Sequence, residues 1–381
     1  MQSRAGEKVV GRVQSKLATI RKARGVGASE LAKKVNVTRQ TIYAIEAGTY
    51  VPNTEVTLRL ARELEVTVEE LFFLPSDRAQ ETAAVTAEYL GNGSPENGQA
   101  VRVCRVGTKW VSVPVDARPY HLPEADAVIA GSAPRSQRAK LRLLSEEDSM
   151  SNKIVVAGCD PATSLLSRMV ERLSGVEMVH APSSSQLALD WLKEGKVHIA
   201  GSHLQDQHTA EFNLPVIRRQ FPNRDMAVVT FARWEEGLVV APGNPKSIRT
   251  VEDLQRKTVT IMNRETGSGS RALLDGLLGS IGIPAKGIRG YDRSAFGHLS
   301  AAYAVLTGEV DCCIATRSAA RTFGLDFVPL RSEQYDFVLH RETLQLAPVQ
   351  AMFDALQRAT LRRKLEVLAG YDTSQTGVIR A

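Results

Sequence analysis

Two junctions in this sequence place glycines and hydroxyl residues just before an apolar helical pattern, and such junctions suit anions. The residues that we predict as ligand contacts at the first junction are Arg264, Thr266, Gly267, Ser268, Gly269, Ser270 and Arg271. Those at the second are Ser183, Ser184 and Ser185. The free N–H groups and the positive dipole end of a helix N-terminus favour a negative ligand. We therefore predict a binding site for a small anion, with one donor cluster in each half of a cleft.

A third helix start adds Tyr291, Ser294 and His298, which we expect to line the same cleft. The segment GCDPATSLL looks similar, but Asp160 stands where a helix N-cap is needed, before Pro161. Its own carboxylate would occupy the anion position. We therefore predict no ligand contact in that segment.

The predicted donors limit the chemistry of the anion. A site made only of N–H and hydroxyl donors suits a fully deprotonated dianion such as molybdate, tungstate or sulfate. Monohydrogen phosphate also needs an acceptor for its proton, which Asp160, Glu265 or Asp292 could supply. The residues alone thus indicate a small anion and leave its identity open.

The sequence patterns that would indicate a metal site or an enzyme active site are weaker. The segment GSHLQDQHTAEF brings His203, Asp206, His208 and Glu211 close together, but their spacing matches no strong metal motif. We expect them to line a cleft or to form local hydrogen bonds, and we predict no metal ligands. We find no nucleophile, base and acid set, no Walker loop and no dinucleotide fingerprint, so we predict no enzyme activity and no catalytic residues.

The elements that position the anion site follow an alternating pattern of strands and helices from residue 153 onward. IVVAG, VEMVHA and VHIAG are predicted strands separated by helices, and the pattern resumes with strands at KTVTIMN, IRGYD and VDCCIAT. Such alternation is typical of a mainly parallel sheet. We predict a two-lobed domain at 151–381, with lobe 1 at about 151–236 and 328–381 and lobe 2 at about 237–327.

The N-terminal part, residues 11–75, has the pattern of five short helices. Thr38 stands at an N-cap and Gly48 at a helix stop, while Thr67 and Glu70 can form a capping box. Two of the helices are joined by a tight turn within 27–48. A helix-turn-helix of this kind places one helix in the major groove, so we predict double-stranded DNA as a partner.

Residues 76–150 carry no pattern that indicates a function. We predict a connector that begins with a helix at 78–90, a small β element with short strands at 101–106, 110–115 and 127–130, and a second linker at 132–153.

Composition fits these assignments. The chain has 381 residues and a formal net charge of +6, which allows two or three domains and suits a nucleic-acid partner. The four cysteines have no metal-site spacing, which indicates a reducing compartment. No apolar run approaches the ~18 residues that cross a bilayer. We expect a cytoplasmic protein with no membrane partner.

Residues 12–75 resemble the Cro/repressor (XRE-type) helix-turn-helix family, chiefly through the motif VTRQTIYAIEAGTYVPN. The resemblance implies base reading by Arg39 and Gln40, with Tyr43 also exposed on the recognition helix. The family often has a glutamine that holds a phosphate where this chain has Ala28. Ser29, Thr38, Thr41 and Tyr50 are the residues that we expect to contact the DNA backbone in its place. Domains of this type commonly bind as dimers, so the resemblance also implies a homodimer.

Residues 153–375 resemble the periplasmic-binding-protein superfamily, in particular the cytoplasmic substrate-binding domains related to molybdate-binding proteins. The matching segments are GLVVAPGNP, NRETGSGSRALLD, GYDRSAFGHLSAAYAV, GLDFVPLRSEQYD and GYDTSQTG. The resemblance implies a type II fold whose lobes close on a ligand through strands that cross near Glu236–Val240 and Phe327–Leu330. It also implies molybdate or tungstate as the anion.

Together these features predict a multidomain chain in which an all-α five-helix DNA-binding domain is followed by a two-lobed α/β domain. The function that we expect is a ligand-responsive transcriptional regulator that senses an oxyanion. Two alternatives stay open: a regulator of the same build that senses a small organic effector, and an enzyme or binding protein of molybdenum-cofactor metabolism.

Overall fold

The computed structural model describes residues 13–73, 84–115, 123–133, 136–144, 150, 152–206 and 208–381. The chain divides into two units, Met1–Ala83 and Ala84–Ala381. Residues 78–83 of the predicted connector helix and 145–149 of the predicted second linker lie outside the described residues.

The first unit contains the five predicted helices. They are α1 (Leu17–Ala23), α2 (Ala28–Lys34), α3 (Arg39–Glu46), α4 (Thr54–Glu63) and α5 (Val68–Leu71), with a two-stranded ladder of β1 (Gln14–Ser15) and β2 (Phe72–Phe73). The Thr38 side chain accepts from the N–H of Thr41, and Gly48 follows α3 with a φ of +68°. Thr67 and Glu70 form the capping box. The predicted starts and stops of these helices are therefore confirmed.

A buried ion pair joins α1 to α3 in this unit. Arg21 Nε lies 2.6 Å from Glu46 Oε1, and Arg21 Nη1 donates to the carbonyl oxygen of Val26 at 2.9 Å. The apolar core beside the pair includes Leu31 and Ile42, both fully buried. Because the pair fixes α1 against the helix that follows the tight turn, it helps to set the angle of α3.

The second unit begins with a closed five-stranded barrel. Its strands are β3 (Ala84–Tyr89), β4 (Ala100–Val106), β5 (Lys109–Pro114), β6 (Ala127–Ser132) and β7 (Arg138–Leu143), in the order β3-β5-β4-β6-β7. Two predictions are wrong here. Residues 84–89 form a strand where a helix was predicted, and 138–143 form a strand where a linker was predicted. The alternation of exposed Arg and Lys with buried Ala and Leu along β7 has the period of a strand, and this overrides its charged composition.

The barrel packs on the domain that follows it. Asp126 in the barrel accepts from Lys153 Nζ at 2.6 Å, and Arg102 pairs with Glu177 of the neighbouring strand. Barrel side chains such as Val111 share an apolar cluster with Trp191 and other residues of lobe 1. The small β element that we predicted between two linkers is therefore a closed barrel attached to lobe 1.

The remaining residues form the two-lobed α/β domain. Lobe 1 is built from β8 (Lys153–Gly158), α6 (Thr163–Ser174), β9 (Glu177–Pro182), α7 (Ser185–Lys193), β10 (Ile199–Ser202), α8 (Leu214–Gln220), α12 (Ala347–Leu356) and α13 (Ala359–Lys364). Lobe 2 contains β12 (Ile261–Arg264), α9 (Gly269–Ser280), β13 (Ser294–Ala295), α10 (Gly297–Leu306), β14 (Cys312–Thr316) and α11 (Arg317–Thr322). This arrangement confirms the predicted α/β lobes.

Two long antiparallel strands, β11 (Met226–Val240) and β15 (Asp326–His340), pass between the lobes. They join all strands of the domain into one sheet of order β13-β12-β14-β11-β15-β10-β8-β9. Residues 326–329 pair with 237–240 on the lobe 2 side, and residues 336–338 pair with β10 of lobe 1, so the second crossing lies between residues 331 and 336. That places the crossing a few residues later than the sequence predicted.

One predicted strand of lobe 2 is wrong. Residues 288–292, the IRGYD segment, form a turn, and the strand β13 beyond it has two residues. Gly290 has a φ of +88° and packs directly on the backbone of Ile261, so the chain bends where the apolar pattern suggested an extended run.

In the described part of the chain the longest α-helices have 12 residues, and no helix has the length and apolar composition to span a bilayer.

Candidate functional site

Five side chains that can bind protons or metals meet between the lobes, and we name them the cleft cluster: Cys159, His203, Glu236, His298 and Glu333. Cys159 follows β8, His203 follows β10 and His298 lies in the first turn of α10. Glu236 and Glu333 lie on the two crossing strands. All five are less than 10% exposed. The ends of the strands and the start of a helix thus bring both lobes to one point.

Close contacts link the members of the cleft cluster. His203 Nδ1 lies 2.6 Å from Glu333 Oε2 and 3.9 Å from Glu236 Oε2. On the other side of the ring, His203 Nε2 lies 3.3 Å from Cys159 Sγ. His298 Nδ1 lies 3.7 Å from Glu236 Oε1. His203 is therefore the centre of the cluster.

Burial dominates the protonation of this cluster. It raises the pKa of Glu236 to about 8, with help from the adjacent charge of Glu333, so Glu236 is mainly a neutral acid at pH 7. Burial lowers the pKa of His203, but Cys159 and Glu236 together outweigh it, and the net direction is upward. Burial, Arg264 and His203 all lower the pKa of His298, which is neutral. The cluster therefore combines an imidazole whose pKa is raised, His203, with one whose pKa is lowered, His298.

The first predicted junction lies against this cluster. Ser270 donates to Glu236, and Arg264 Nη1 donates to Ser270 Oγ at 3.3 Å. Arg264 is fully buried and also forms two hydrogen bonds with Glu265. Ser268 is the N-cap of α9, where it accepts from the N–H of Arg271. These donors are placed as predicted but already have partners in the protein.

The second predicted junction meets the first one across the cleft. The N–H of Gln186 in α7 donates to the carbonyl oxygen of Gly267 at 3.3 Å. Ser184 caps α7, and Ser185 Oγ accepts from the N–H of His203. Ser183 is buried, and its hydroxyl has no hydrogen-bond partner among the described residues. The two lobes are therefore in contact, and the cleft is closed.

Gly269 shows how tightly the cleft has closed. A Cβ atom at this position would lie 2.4 Å from His203 Cε1 and 2.5 Å from Nδ1. A side chain there would collide with the imidazole. The absence of a Cβ at the start of α9 is therefore what lets lobe 2 approach His203.

Several residues of the predicted site lie away from the cleft cluster. Ser294 and Thr266 are exposed. Tyr291 donates its hydroxyl to Asp275, and Arg271 stacks on its ring at 4.9 Å. Among the predictions at the third helix start, the structure brings only His298 into the cleft cluster.

The segments GCDPATSLL and GSHLQDQHTAEF, where we predicted neither anion contacts nor metal ligands, differ in structure. Asp160 Oδ1 accepts from the N–H of Ala162 at 2.6 Å, but Ala162 itself is the N-cap of α6, so the predicted N-cap at Asp160 is wrong and its carboxylate binds the turn just before the helix. In the loop after β10, Asp206 accepts from the N–H groups of His208 and Thr209 and pairs with Arg219. His208 and Glu211 are exposed, and only His203 points into the cleft.

Other polar atoms around the closed cleft have no hydrogen-bond partner in the described part of the chain. They are Ser202 Oγ, Trp234 Nε1, Tyr335 OH, Glu236 Oε2, Asp160 Oδ2 and both ring nitrogens of His298. The Trp234 ring lies 5.4 Å from His203 and 5.9 Å from His298. Buried polar atoms without partners are rare and costly, so they mark the place where a ligand would contribute most.

The sequence analysis did not identify Glu236, Glu333 or Cys159 as site residues. Glu236 entered it only as a crossing-strand position. The sequence does contain a signal for the two glutamates. Their carboxylates lie within strand segments that also carry apolar residues, WEEGLVV and SEQYDFVL. A carboxylate in such a run must find a buried partner, which points to a site.

The helix-turn-helix unit presents the predicted DNA contacts on α3 and on the segments beside it, with Ser29 on α2, Thr38 at the N-cap of α3 and Tyr50 after α3. Arg39, Gln40 and Tyr43 are exposed on α3, and Arg39 Nη2 donates to the Tyr43 hydroxyl at 2.9 Å. Ser29 and Tyr50 are exposed as well, and the Thr38 and Thr41 hydroxyls lie 2.8 Å apart. The Tyr43 contact orients the Arg39 guanidinium along the helix before any DNA is bound.

Comparisons with known proteins match both parts of the chain. Residues 166–357 match the family model described as "PBP superfamily domain", and residues 17–71 match the one described as "Helix-turn-helix". The chain is 32% identical over 226 residues to the uncharacterized protein YvgK of Bacillus subtilis, covering 59% of this chain and 73% of that protein. It is 44% identical over 61 residues to an uncharacterized HTH-type transcriptional regulator of Methanothermobacter thermautotrophicus, covering 16% of this chain and 88% of that one. Among solved structures, a substrate-binding protein with bound phosphate from Clostridium perfringens aligns over 58% of this chain and 98% of its own, with 12% identity and a TM-score of 0.46.

Proposed function

Because the chain belongs to the family that carries the PBP superfamily domain and has an N-terminal helix-turn-helix domain, we propose that it is a transcriptional regulator controlled by a ligand in its interlobe cleft. The helix-turn-helix binds double-stranded operator DNA, and the two-lobed domain closes on a small molecule. The chain acts as a homodimer that presents two recognition helices to a two-part operator.

The observation that carries this proposal is the construction of the closed cleft. The Gln186 N–H bond to Gly267 and the fit of His203 against Gly269 both join lobe 1 to lobe 2. Opening the cleft breaks these contacts, and a ligand held by groups of both lobes binds the closed form better. A ligand shifts such an equilibrium only through its different affinity for the two states, and this cleft provides that difference.

The family resemblance favours a small oxyanion as the ligand, and molybdate and tungstate are the first candidates. Three features support it: the hydroxyls of Ser183 and Ser202 have no partner among the described residues, Arg264 lies at the base of the cleft, and Glu236 is mainly a neutral acid at pH 7. A neutral Glu236 can donate a hydrogen bond to the anion, whereas an ionised one would repel it.

The test uses the full-length chain and an operator selected from random duplexes. Thermal unfolding is measured with molybdate, tungstate, sulfate, phosphate or no addition. Selective binding to the folded state adds about 2.7 kcal/mol to the unfolding free energy at a ligand concentration of 100 Kd, and the unfolding midpoint rises as a result. Operator affinity is then measured by fluorescence anisotropy with and without each stabilising ion.

The matched variants are Ser270→Ala, which removes a hydroxyl at the centre of the cleft, and Ser280→Ala, which removes an exposed one at the far end of the same helix. We expect Ser270→Ala alone to weaken the response to the ion. A ligand that stabilises the protein equally in both variants, or that leaves operator affinity unchanged, would contradict the proposal.

A further inference from the structure

The cleft cluster is a set of metal-binding side chains contributed by both lobes. Cys159 and His203 belong to lobe 1 and His298 to lobe 2, while the two glutamates come from the crossing strands. We propose that the closed cleft binds one divalent transition-metal ion through Cys159, His203 and His298. This inference rests on the proposed function, because it names a chemical class for the ligand on which the cleft closes.

The distances suit a metal. The ligand atoms of Cys159, His203 and His298 all lie within 4.8 Å of one another, and Cys159 Sγ is 3.3 Å from His203 Nε2. In a tetrahedral zinc site, with bonds of about 2.0 to 2.3 Å, ligand atoms lie about 3.3 to 3.8 Å apart. The pair in lobe 1 already has this separation, and His298 needs a shift of only about 1 Å to complete it.

His298 supplies a second, independent observation. The ring is 1% exposed, and neither of its nitrogens has a hydrogen-bond partner among the described residues. A buried imidazole without partners loses its hydration and receives nothing in return. An imidazole nitrogen without a hydrogen-bond partner can offer its lone pair to a metal, which is how histidine binds one. A metal ion in the cleft would satisfy that lone pair.

The glutamates are placed to orient the two imidazoles. Glu333 Oε2 lies 2.6 Å from His203 Nδ1, which leaves Nε2 facing Cys159 for the metal. Histidine ligands in metal sites almost always donate their remote N–H to a carboxylate, carbonyl or water. Glu333 is already within hydrogen-bond distance of His203. Glu236 Oε1 lies 3.7 Å from His298 Nδ1, beyond hydrogen-bond distance, and is the side chain placed to orient that ring once it moves onto the metal.

The charge and the donor types narrow the choice of ion. The nearby cation Arg264 forms two hydrogen bonds with Glu265, which offsets its charge. Sulfur, imidazole nitrogen and carboxylate oxygen together favour Zn²⁺, Co²⁺ or Ni²⁺, whereas Mg²⁺ and Ca²⁺ take oxygen ligands. The donor types of the cluster therefore match a transition-metal cation, which is a different class of ligand from the oxyanion that the sequence predicts.

The experiment titrates Co²⁺ and Zn²⁺ into the full-length chain after treatment with a chelator. The variants are Cys159→Ser and His298→Gln, with Cys312→Ala as the control, since Cys312 is an equally buried cysteine of the lobe 2 core. We expect one Co²⁺ per chain, with an ultraviolet thiolate-to-cobalt band that Cys159→Ser abolishes. We expect His298→Gln to weaken binding about 10- to 100-fold, and Cys312→Ala to bind like the parent chain.

Weak binding that is equal in the parent chain and in both cluster variants would overturn the inference. Thermal unfolding without metal shows whether each variant folds, and if one does not, the other carries the test. Stabilisation by molybdate but not by Co²⁺ or Zn²⁺ would overturn the metal site and leave the proposed regulator intact. Tight metal binding at the cluster with no change in operator affinity would support the metal site and contradict the proposed function.

Discussion

A single methyl group at Gly269 should hold the cleft open. Gly269 is the first residue of α9 and its φ is not in the left-handed region, so alanine fits its backbone. In the closed cleft the new Cβ would lie 2.4 Å from His203 Cε1, about 1 Å nearer than an ordinary carbon contact. His203 cannot turn aside easily, because Glu333 and Cys159 hold the two sides of its ring. We expect Gly269→Ala to disfavour closure by about 1 to 3 kcal/mol.

The matched control is Gly276→Ala in the same helix, where a Cβ would meet nothing within 4 Å. Both changes replace glycine by alanine in α9, and each adds about 0.5 to 1 kcal/mol of helix stability. The lobe separation is measured by double electron–electron resonance between spin labels on cysteines introduced at exposed Glu171 and Ala272, the native cysteines being buried.

We expect Gly269→Ala to lengthen the label distance and to weaken any cleft ligand about 5- to 150-fold, as its closure penalty requires. Gly276→Ala should do neither. An unchanged distance in Gly269→Ala, together with a lower unfolding midpoint than Gly276→Ala, would mean that the closed cleft absorbs the clash. That result would refute the argument that His203 and Gly269 limit closure.

Three further predictions concern other parts of the chain. Arg39→Ala combined with Gln40→Ala should abolish operator preference in anisotropy titrations, at about 1 to 3 kcal/mol per lost base contact, while ligand binding stays intact; retained preference would contradict the assignment of the recognition helix. Glu46→Gln should lower the unfolding free energy of the N-terminal unit in urea titrations by about 1 to 3 kcal/mol, because the largely buried Arg21 loses its ionic partner. Glu55→Gln, in an exposed pair, is the control and should cost under 1 kcal/mol. Burial lowers the pKa of His198 to about 4, so between pH 6.5 and 4 the unfolded chain takes up a proton that the folded chain does not. The unfolding free energy therefore falls by about 3 kcal/mol over this range. His198→Asn should remove that part of the acid dependence, and an unchanged slope of the unfolding free energy against pH would show that other groups cause it.

Local signals in the sequence predicted the first unit well. Thr38, Gly48 and the pair Thr67 and Glu70 act within one turn of the helices that they limit. The helix starts at the two predicted junctions follow the same rule, since Ser184 caps α7 and Ser268 caps α9. Capping depends on hydrogen bonds between residues two or three positions apart, so a single sequence contains the information.

The errors occurred where distant segments decide the structure. The charged stretch at 138–143 became β7 because four other strands close a barrel around its apolar side chains. The IRGYD segment became a turn because Gly290 packs on the backbone of Ile261. Ile261 is distant from Gly290 in sequence, and β3, which pairs along β7, is distant from β7. The charged composition therefore misled the prediction for 138–143, and the apolar run misled the prediction for IRGYD.

By itself the sequence determined the classes of the two main domains, the helix starts that carry donors, and the exposed face of α3. Each follows from periodicity or from a contact between near neighbours. Only the tertiary structure brought Cys159, His203 and His298 to one point and placed Glu236 and Glu333 beside them. These residues come from the ends of two strands, the start of one helix and the two crossing strands, and they are spread from position 159 to position 333 of the chain. Their meeting depends on sheet order and on lobe closure, which are long-range packing outcomes that no local pattern encodes.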